Sequence, residues 1–313
     1  MRLFFATDIH GSETCWRKFL NAGKHYSADV LILGGDMTGK ALVPVIHDGG
    51  DRWHATLLEN RSELVGEEQV AAFEDAVIRR GYYPFRTDPD ELRALEHDEP
   101  RWHKLFNEKM LETVAKWMRM AEERLGGTGT RVFCSPGNDD QFEVDEIIEA
   151  SPFVELGEGR VIDIDGFQMV STGWANRTPW ETYREEDEPD LGARLEKAIS
   201  QISAPAERVI FNFHCPPYRS GLDDAPELTA DMRLKDAGRA VKPVGSTAVR
   251  EAIEQHQPAL SLHGHIHEAR GNTRIGRTLC INPGSSYEQG DLLGAVVDVD
   301  GKKKVKRFLL TSG

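Results

Sequence analysis

Leu262-His263-Gly264-His265-Ile266-His267-Glu268 is the stretch on which the reading of this chain turns. Three histidines fall within five positions, and His265 and His267 are one residue apart. In extended backbone, alternate side chains point to the same side, so these two can converge on one point. Neutral imidazole is the commonest protein metal ligand. The stretch follows the apolar run Ala259–Leu262 and contains a glycine, the pattern of a loop leaving a buried strand. Taken alone, it reads equally well as a pair of solvated loop histidines. The rest of the chain has to decide.

Matching partners stand at the ends of other apolar runs. Arg2–Ala6 leads into Asp8-Ile9-His10, with the two polar residues again one position apart. Asp29–Leu33 reads as a buried parallel strand and ends in Gly34-Gly35-Asp36. In isolation Asp36 is more simply a turn aspartate. Arg131–Cys134 leads to Gly137-Asn138-Asp139-Asp140, Arg208–Phe213 to His214, and Thr278–Ile281 to Asn282. Polar residues at the carboxyl ends of sheet strands are the expected site geometry of α/β proteins.

The set Asp8, His10, Asp36, Asn138, His214, His265 and His267 offers oxygen and nitrogen but no thiolate. That suits Mn²⁺, Fe²⁺ or Zn²⁺ and hydrolytic chemistry, not a cysteine-rich structural zinc site. Seven ligands are too many for one four-coordinate ion and suit two divalent ions sharing a bridge. Asp36, alone on its turn, is the natural bridge. Two divalent ions less Asp8, Asp36 and a hydroxide leave about one net positive charge, which attracts an anion.

The 313 residues carry a formal net charge of −14 and are 39% hydrophobic. That length supports one large domain or two small ones. The acidic balance lacks the basic surface that general nucleic-acid binding uses. No apolar run reaches the length of a membrane span, and the N-terminus lacks the pattern of a signal peptide. The expectation is a cytoplasmic protein, with association between copies left open. Cys15, Cys134, Cys215 and Cys280 show neither CxxC spacing nor disulfide density, so buried reduced thiols are expected.

Residues 40–129 separate Asp36 from Asn138 by far more than one crossover requires. The interval reads as an insertion: a hairpin of Val43–His47 with Trp53–Leu57, a helix over Glu67–Arg80, and helix over Pro89–Leu125 divided near Pro100. It is expected to cap the site as part of one domain, 1–313. Tyr82, Tyr83, Phe85 and Arg86 read either as a pocket wall or as packing. Further elements follow: a helix opened by Ser12 with Trp16, Phe19 and Leu20 inward, a hairpin around Asp165-Gly166, helices Leu191–Ile202 and Thr247–Gln255, and a closing hairpin around Asp300-Gly301. The basic run Lys302–Lys304 reads as a solvated strand edge.

Asp8-Ile9-His10, Gly34-Gly35-Asp36, Gly137-Asn138, His214 and Gly264-His265-Ile266-His267, in this order, resemble the five signature blocks of the calcineurin-like metallophosphoesterases. The resemblance implies a four-layer αββα sandwich of two mixed β-sheets flanked by helices. It also implies hydrolysis of phosphomonoesters or phosphodiesters by a metal-bridging hydroxide. By matching position, one ion takes Asp8, His10, Asp36 and His267; the other takes Asp36, Asn138, His214 and His265. Many members place a histidine after the block-three asparagine, where this chain has Asp139. This resembles the subgroup without that histidine.

A carboxylate beside two dications stays ionised and is a poor acid, so the proton donor is open, with His263 a candidate beside a merely supporting role. Asp139 and His263 are therefore the catalytic candidates. Arg177 and Arg219 are candidate phosphate clamps by the fit of guanidinium to phosphate, or else surface ion pairs. A small phosphoester is the expected partner. The alternatives are a binding scaffold that has kept the fold and lost the chemistry, and a nuclease.

Overall fold

The computed structural model describes residues 1–229, 231, 233–300 and 304–313. Two six-stranded sheets face each other. The first has the order Lys304–Ser312, Leu293–Asp300, Arg2–Ala6, Val30–Leu33, Arg131–Cys134, Val154–Leu156. The second runs Gly271–Ile275, Thr278–Asn282, Leu260–Leu262, Val209–Phe213, Phe167–Thr172, Val161–Ile164. Both are mixed. In the first, the four strands from Arg2–Ala6 to Val154–Leu156 are parallel, and Leu293–Asp300 with Lys304–Ser312 adds antiparallel pairing at one edge. In the second, the four inner strands are parallel and both edge strands antiparallel.

The strand period of two decides the layering. Leu3 and Phe5 enter a core between the sheets with Ile32, Phe133, Ile210, Leu262 and Ile281. Phe4 and Ala6 face the other way, into a core with helix residues Trp16, Phe19, Val114 and Trp117. On the far side, Phe211 and Phe213 of the second sheet pack on Leu191, Leu195, Val249 and Ile253. The result is helix, sheet, sheet, helix, the sandwich expected from the signature blocks.

The helices are α1 (Glu13–Tyr26), α2 (Gly66–Arg79), α3 (Pro89–Glu96), α4 (Glu99–Leu125), α5 (Glu143–Glu149), α6 (Glu188–Ile199) and α7 (Thr247–His256). Ser12 caps α1 by accepting the Cys15 N–H, and Trp16, Phe19 and Leu20 are buried as their spacing predicts. Asp98 caps α4, with Pro100 in the first turn where its missing N–H is harmless. That cap divides α3 from α4. The short α5 was not legible, because seven residues give too little periodicity.

The insertion holds more strand than the expected hairpin. Leu42–Gly49 and Arg52–Leu57 are joined by Asn60–Val65 and by Tyr83–Thr87, in a sheet ordered Asn60–Val65, Arg52–Leu57, Leu42–Gly49, Tyr83–Thr87. Asn60–Val65 buries only Leu64, and Tyr83–Thr87 contains Pro84, so neither carries a strand signature. Pro84 is tolerated because its strand is at an edge. Tyr83 and Phe85 are core residues, and Arg86 pairs with Glu67 and Glu74; this cluster is packing.

Leu42, Tyr83, Leu95, Met110 and Trp117 share one core with Phe4 and Leu31 of the first sheet. Trp117 stacks on Trp16 with ring centroids 5.1 Å apart and planes at 7°. Trp117→Ala is therefore expected to cost about 3–5 kcal/mol, and denaturant unfolding should remain one transition for the whole chain. A separate transition for residues 40–129 would show that the insertion folds alone.

No helix among the described residues is long and apolar enough to cross a membrane. The four cysteines are buried and unpaired. In the closing hairpin Leu293–Asp300 pairs with Lys304–Ser312; Gly301, Lys302 and Lys303 of the turn and basic run lie outside the described residues.

Candidate metal centre

Four of the nominated residues hold left-handed backbone: Asp8 at φ 53°, His10 at 37°, Asp36 at 46° and His265 at 68°. Each such non-glycine residue costs about 1–3 kcal/mol and persists only where its surroundings enforce it. Here the loops are laced together. The Asp8 N–H donates to Gly35 O at 3.0 Å, the His10 N–H to Asp36 O at 3.0 Å, and the Gly11 N–H to Met37 O at 2.8 Å. The His265 N–H reaches both Asp8 carboxylate oxygens at 3.1 Å. The Ser285 hydroxyl donates to Asp8 O at 2.6 Å.

The side chains converge in groups. Asp8, His10 and His267 form one, Asp36, His214 and His265 a second, and His10, Asp36 and Asp139 a third; within each, the ligand atoms lie within 4.8 Å of one another. Asp36 belongs to the second and third and His10 to the first and third, and Asp36 Oδ2 lies 3.4 Å from His214 Nε2 and 3.8 Å from His10 Nε2. Nε2 of His10 and Nε2 of His267 stand 3.1 Å apart, a separation that calls for a shared proton or a shared cation.

Several buried atoms here have no partner. His214 Nδ1 lies 3.1 Å from the Gly34 carbonyl, which only accepts, so Nδ1 carries a proton and Nε2 is the atom turned toward Asp36 and Asp8. The Asn138 amide N–H donates to Thr182 Oγ1 at 2.8 Å, which turns Oδ1 the other way. His214 Nε2, Asn138 Oδ1 and His10 Nδ1 are all buried without a hydrogen bond. Unpaired buried polar atoms are rare and need an explanation. Carboxylate, imidazole and amide oxygen together form a donor set that fits Mn²⁺, Fe²⁺ or Zn²⁺.

Electrostatics point the same way. Burial pushes His10 down to about 3 and His265 to about 4, so both rings are neutral, as ligands must be. Burial works to raise Asp8 and Asp36, but the neighbouring histidines, His214 foremost, together outweigh it and hold Asp8 at about 2 and Asp36 well below its ordinary value. Asp36 and Asp8 in turn push His214 up to about 10 against its burial, so an incoming ion would displace a proton from Nε2. Two ionised carboxylates are thus held out of water among polar atoms that lack partners.

The glycines beside the ligands are spatial requirements. Gly35 has φ +132°, and a Cβ there would come 2.3 Å from His214 Nδ1; one on Gly137 would come 2.2 Å from Asp36 Oδ1. Gly35→Ala is expected to swing His214 away from Asp36 and weaken metal binding by about 10- to 100-fold, the usual size of an orienting-contact loss. Titration with Mn²⁺ followed by calorimetry checks this; unchanged affinity would refute it.

No protein-family model matches the chain. TT1561 of Thermus thermophilus superposes with a TM-score of 0.52 at 13% identity, covering all of this chain (100%) and 97% of its own. The chain shares the fold of that structure. A solved structure described as a novel archaeal phosphodiesterase aligns at a TM-score of 0.42 and 12% identity, over 99% of this chain and 100% of that one. The uncharacterized protein MJ1162 of Methanocaldococcus jannaschii is 30% identical over 154 residues, 49% of this chain. The chain spans 63% of that relative's length.

The loops that carry these side chains are held by residues that sequence reasoning missed. Asp140, fully buried, accepts from the N–H groups of Gly137, Met37 and Thr38 and from the Thr38 hydroxyl, pinning the second loop to the third. Thr182 accepts from Asn138 and donates to Glu185 at 2.5 Å. Asn282 donates to the carbonyls of Leu222, Gly264 and Ile266 and accepts from the Gly284 N–H, so it braces the histidine loop. Of these only Asn282, at a strand end, drew notice in the sequence.

A cleft of about 1270 Å³ opens over the centre, with His10, Asp36, Asn138, His265 and His267 in its lining. Asp139 also lines it and pairs with Lys40, Nζ to Oδ2 2.7 Å, a cation that the motif reading passed over. Arg177 lines the cleft and bonds Asp187 at 3.2 Å. Arg219 is not among the lining residues; its guanidinium lies 5.2 Å over the Tyr218 ring. His263 is not among them either. It is fully buried, and its Nδ1 lies 2.8 and 3.1 Å from the carbonyls of Phe213 and Cys215. Burial pushes it down to about 4.

Proposed function

We propose that this chain is a metal-dependent phosphoesterase that holds two divalent ions of the Mn²⁺, Fe²⁺ or Zn²⁺ class. The observation that carries the reading is the pair of ligand groups, Asp8, His10, His267 and Asp36, His214, His265, that meet where His10 approaches Asp36 at 3.8 Å, with buried His214 Nε2 and Asn138 Oδ1 left without a hydrogen bond. Asp8, His10, Asp36 and His267 would hold one ion; Asp36, Asn138, His214 and His265 the other. When bound, such ions supply Lewis acidity and lower the pKa of water toward about 7.

The chain's own groups do the rest. Gly34 O fixes the His214 ring, and Thr182 with Glu185 fixes the Asn138 amide. Lys40 and Arg177 give the cleft cations for a phosphoryl group. The test is metal analysis joined to hydrolysis of bis(p-nitrophenyl) phosphate with Mn²⁺ and with chelator. Protein that binds two equivalents of metal yet turns over no phosphoester would instead be a binding scaffold.

Asp139 decides how the leaving group departs. Burial and the Asp36 charge push its carboxyl up to about 6 against the pull of the Lys40 ammonium, so near neutral pH it is mostly ionised and a poor proton donor. Rates are expected to rise steeply as the leaving-group pKa falls, aryl esters fast and alkyl esters slow. Asp139→Asn should change kcat/KM by less than about tenfold, where loss of a true general acid costs about 10² to 10⁴. A flat leaving-group series with a thousandfold loss in Asp139→Asn would make Asp139 the acid itself.

A further inference from the structure

We infer that the phosphoester taken by this cleft carries an extended apolar body, an alkyl or acyl chain, and that α4 and two facing loops form its berth. The inference rests on the phosphoesterase reading and narrows its substrate class.

At about 1270 Å³ the cleft exceeds the 300–1,000 Å³ of ordinary small-molecule sites and far exceeds what a phosphoryl group needs. Besides the metal-site residues, the lining includes Trp102, Phe106 and Met110 from α4, Trp180 from one loop, and Leu228 and Leu234 from another. The α4 side is anchored: Phe106 meets Tyr83 edge-on at 5.6 Å, Trp102 meets Phe85 edge-on at 5.9 Å, and Met110 is 1% exposed. The loop side is bare. Trp180 is 65% exposed and Leu234 58% exposed, although both border the same cleft. Large apolar side chains gathered at one opening of a strongly acidic chain mark a surface that something apolar covers.

The polar wall residues argue against a nucleobase as that body. Asn176 donates to Val244 O and accepts from the Cys215 thiol. The Thr178 hydroxyl donates to Glu185, the Gln141 amide to Asn107 and Tyr183, and the Thr229 hydroxyl to Asp231. A site built to read a base edge needs unspent donors and acceptors. These amides and hydroxyls already hold partners within the chain, so the wall offers mainly apolar surface.

The test uses the full-length Mn²⁺-loaded protein and p-nitrophenyl n-alkyl phosphodiesters from methyl to dodecyl, below their micellar concentrations. Leaving group and reacting phosphorus stay constant, so only the body changes. KM is expected to fall by about two- to fourfold per methylene over the first several carbons, with kcat nearly level. Phe106→Ala and Trp102→Ala should each lower the octyl-to-methyl ratio of kcat/KM by about tenfold, the loss of a well-packed aromatic contact. A series flat in chain length, or a preference for thymidine 5′-(p-nitrophenyl) phosphate over the octyl ester, overturns the inference. Should no ester be turned over, the phosphoesterase reading has failed. The same chain-length series of n-alkyl phosphates, read by calorimetric binding, then decides the apolar berth: rising affinity upholds it and constant affinity removes it.

Discussion

Asp36→Asn is expected to strip metal from the centre and abolish phosphoester turnover. Asp36 stands in two of the three convergent groups, and its Oδ2 lies between His214 and His10 at 3.4 and 3.8 Å. Its Oδ1 accepts the Asp139 N–H at 3.0 Å, so one oxygen is held by backbone and the other is free to ligate. An amide can keep one of those roles but not both, and it removes the charge that offsets two dications. Losing an orienting contact alone costs about 10- to 100-fold in metal affinity or activity. A ligand shared by both ions should cost more, about 10³-fold or beyond in kcat/KM. Metal content by emission spectroscopy, with turnover at saturating Mn²⁺, reads both effects. Two retained equivalents of metal with near-normal turnover would falsify the bridging role.

Asp140→Ala is expected to destabilise the fold by about 3–5 kcal/mol, because each buried donor left without a partner costs about 1–3 kcal/mol. Three backbone N–H groups and the Thr38 hydroxyl lose their acceptor at once. Burial, with the nearby Asp36 charge, pushes the Asp140 carboxyl up, against the pull of these donors. Asp140→Asn keeps one acceptor oxygen and should lose less. Urea unfolding of both variants without metal isolates the structural term from metal binding. A loss under about 1 kcal/mol in Asp140→Ala would mean that water or a shifted loop replaces the carboxylate.

Both expectations concern residues in one Asn-Asp-Asp run, and the two differ in legibility. Asn138 announced itself by following an apolar strand and a glycine, in step with Asp8, Asp36 and His214. Asp140 announced nothing, since its meaning lies in Thr38, 102 positions earlier in the chain. The same contrast runs through the insertion. The hairpin of Leu42–Gly49 and Arg52–Leu57 shows alternation around Asp-Gly, whereas Tyr83–Thr87 is a strand only because an existing edge accepts it. Lys40 looks like an ordinary loop lysine until Asp139 meets it across the cleft.

The sequence by itself determined most of the strands, most of the helices and the residues gathered at the centre. Each of these is written locally, as apolar period, cap or strand-then-loop spacing, and local pattern survives any tertiary arrangement. The two-sheet sandwich was only what the resemblance of the signature blocks implied. The tertiary structure decided which atoms are aimed and which are spent. Asn138 turns its oxygen inward because Thr182 takes its amide, and His214 turns Nε2 toward Asp36 and Asp8 because Gly34, 180 residues away, takes the proton on Nδ1. Only the folded chain could separate Arg177 in the cleft from Arg219 outside its lining, or set Phe106 and Leu234 around one opening. A side chain's hydrogen-bond partners and exposure are properties of the segments packed against it, and these lie far away in sequence.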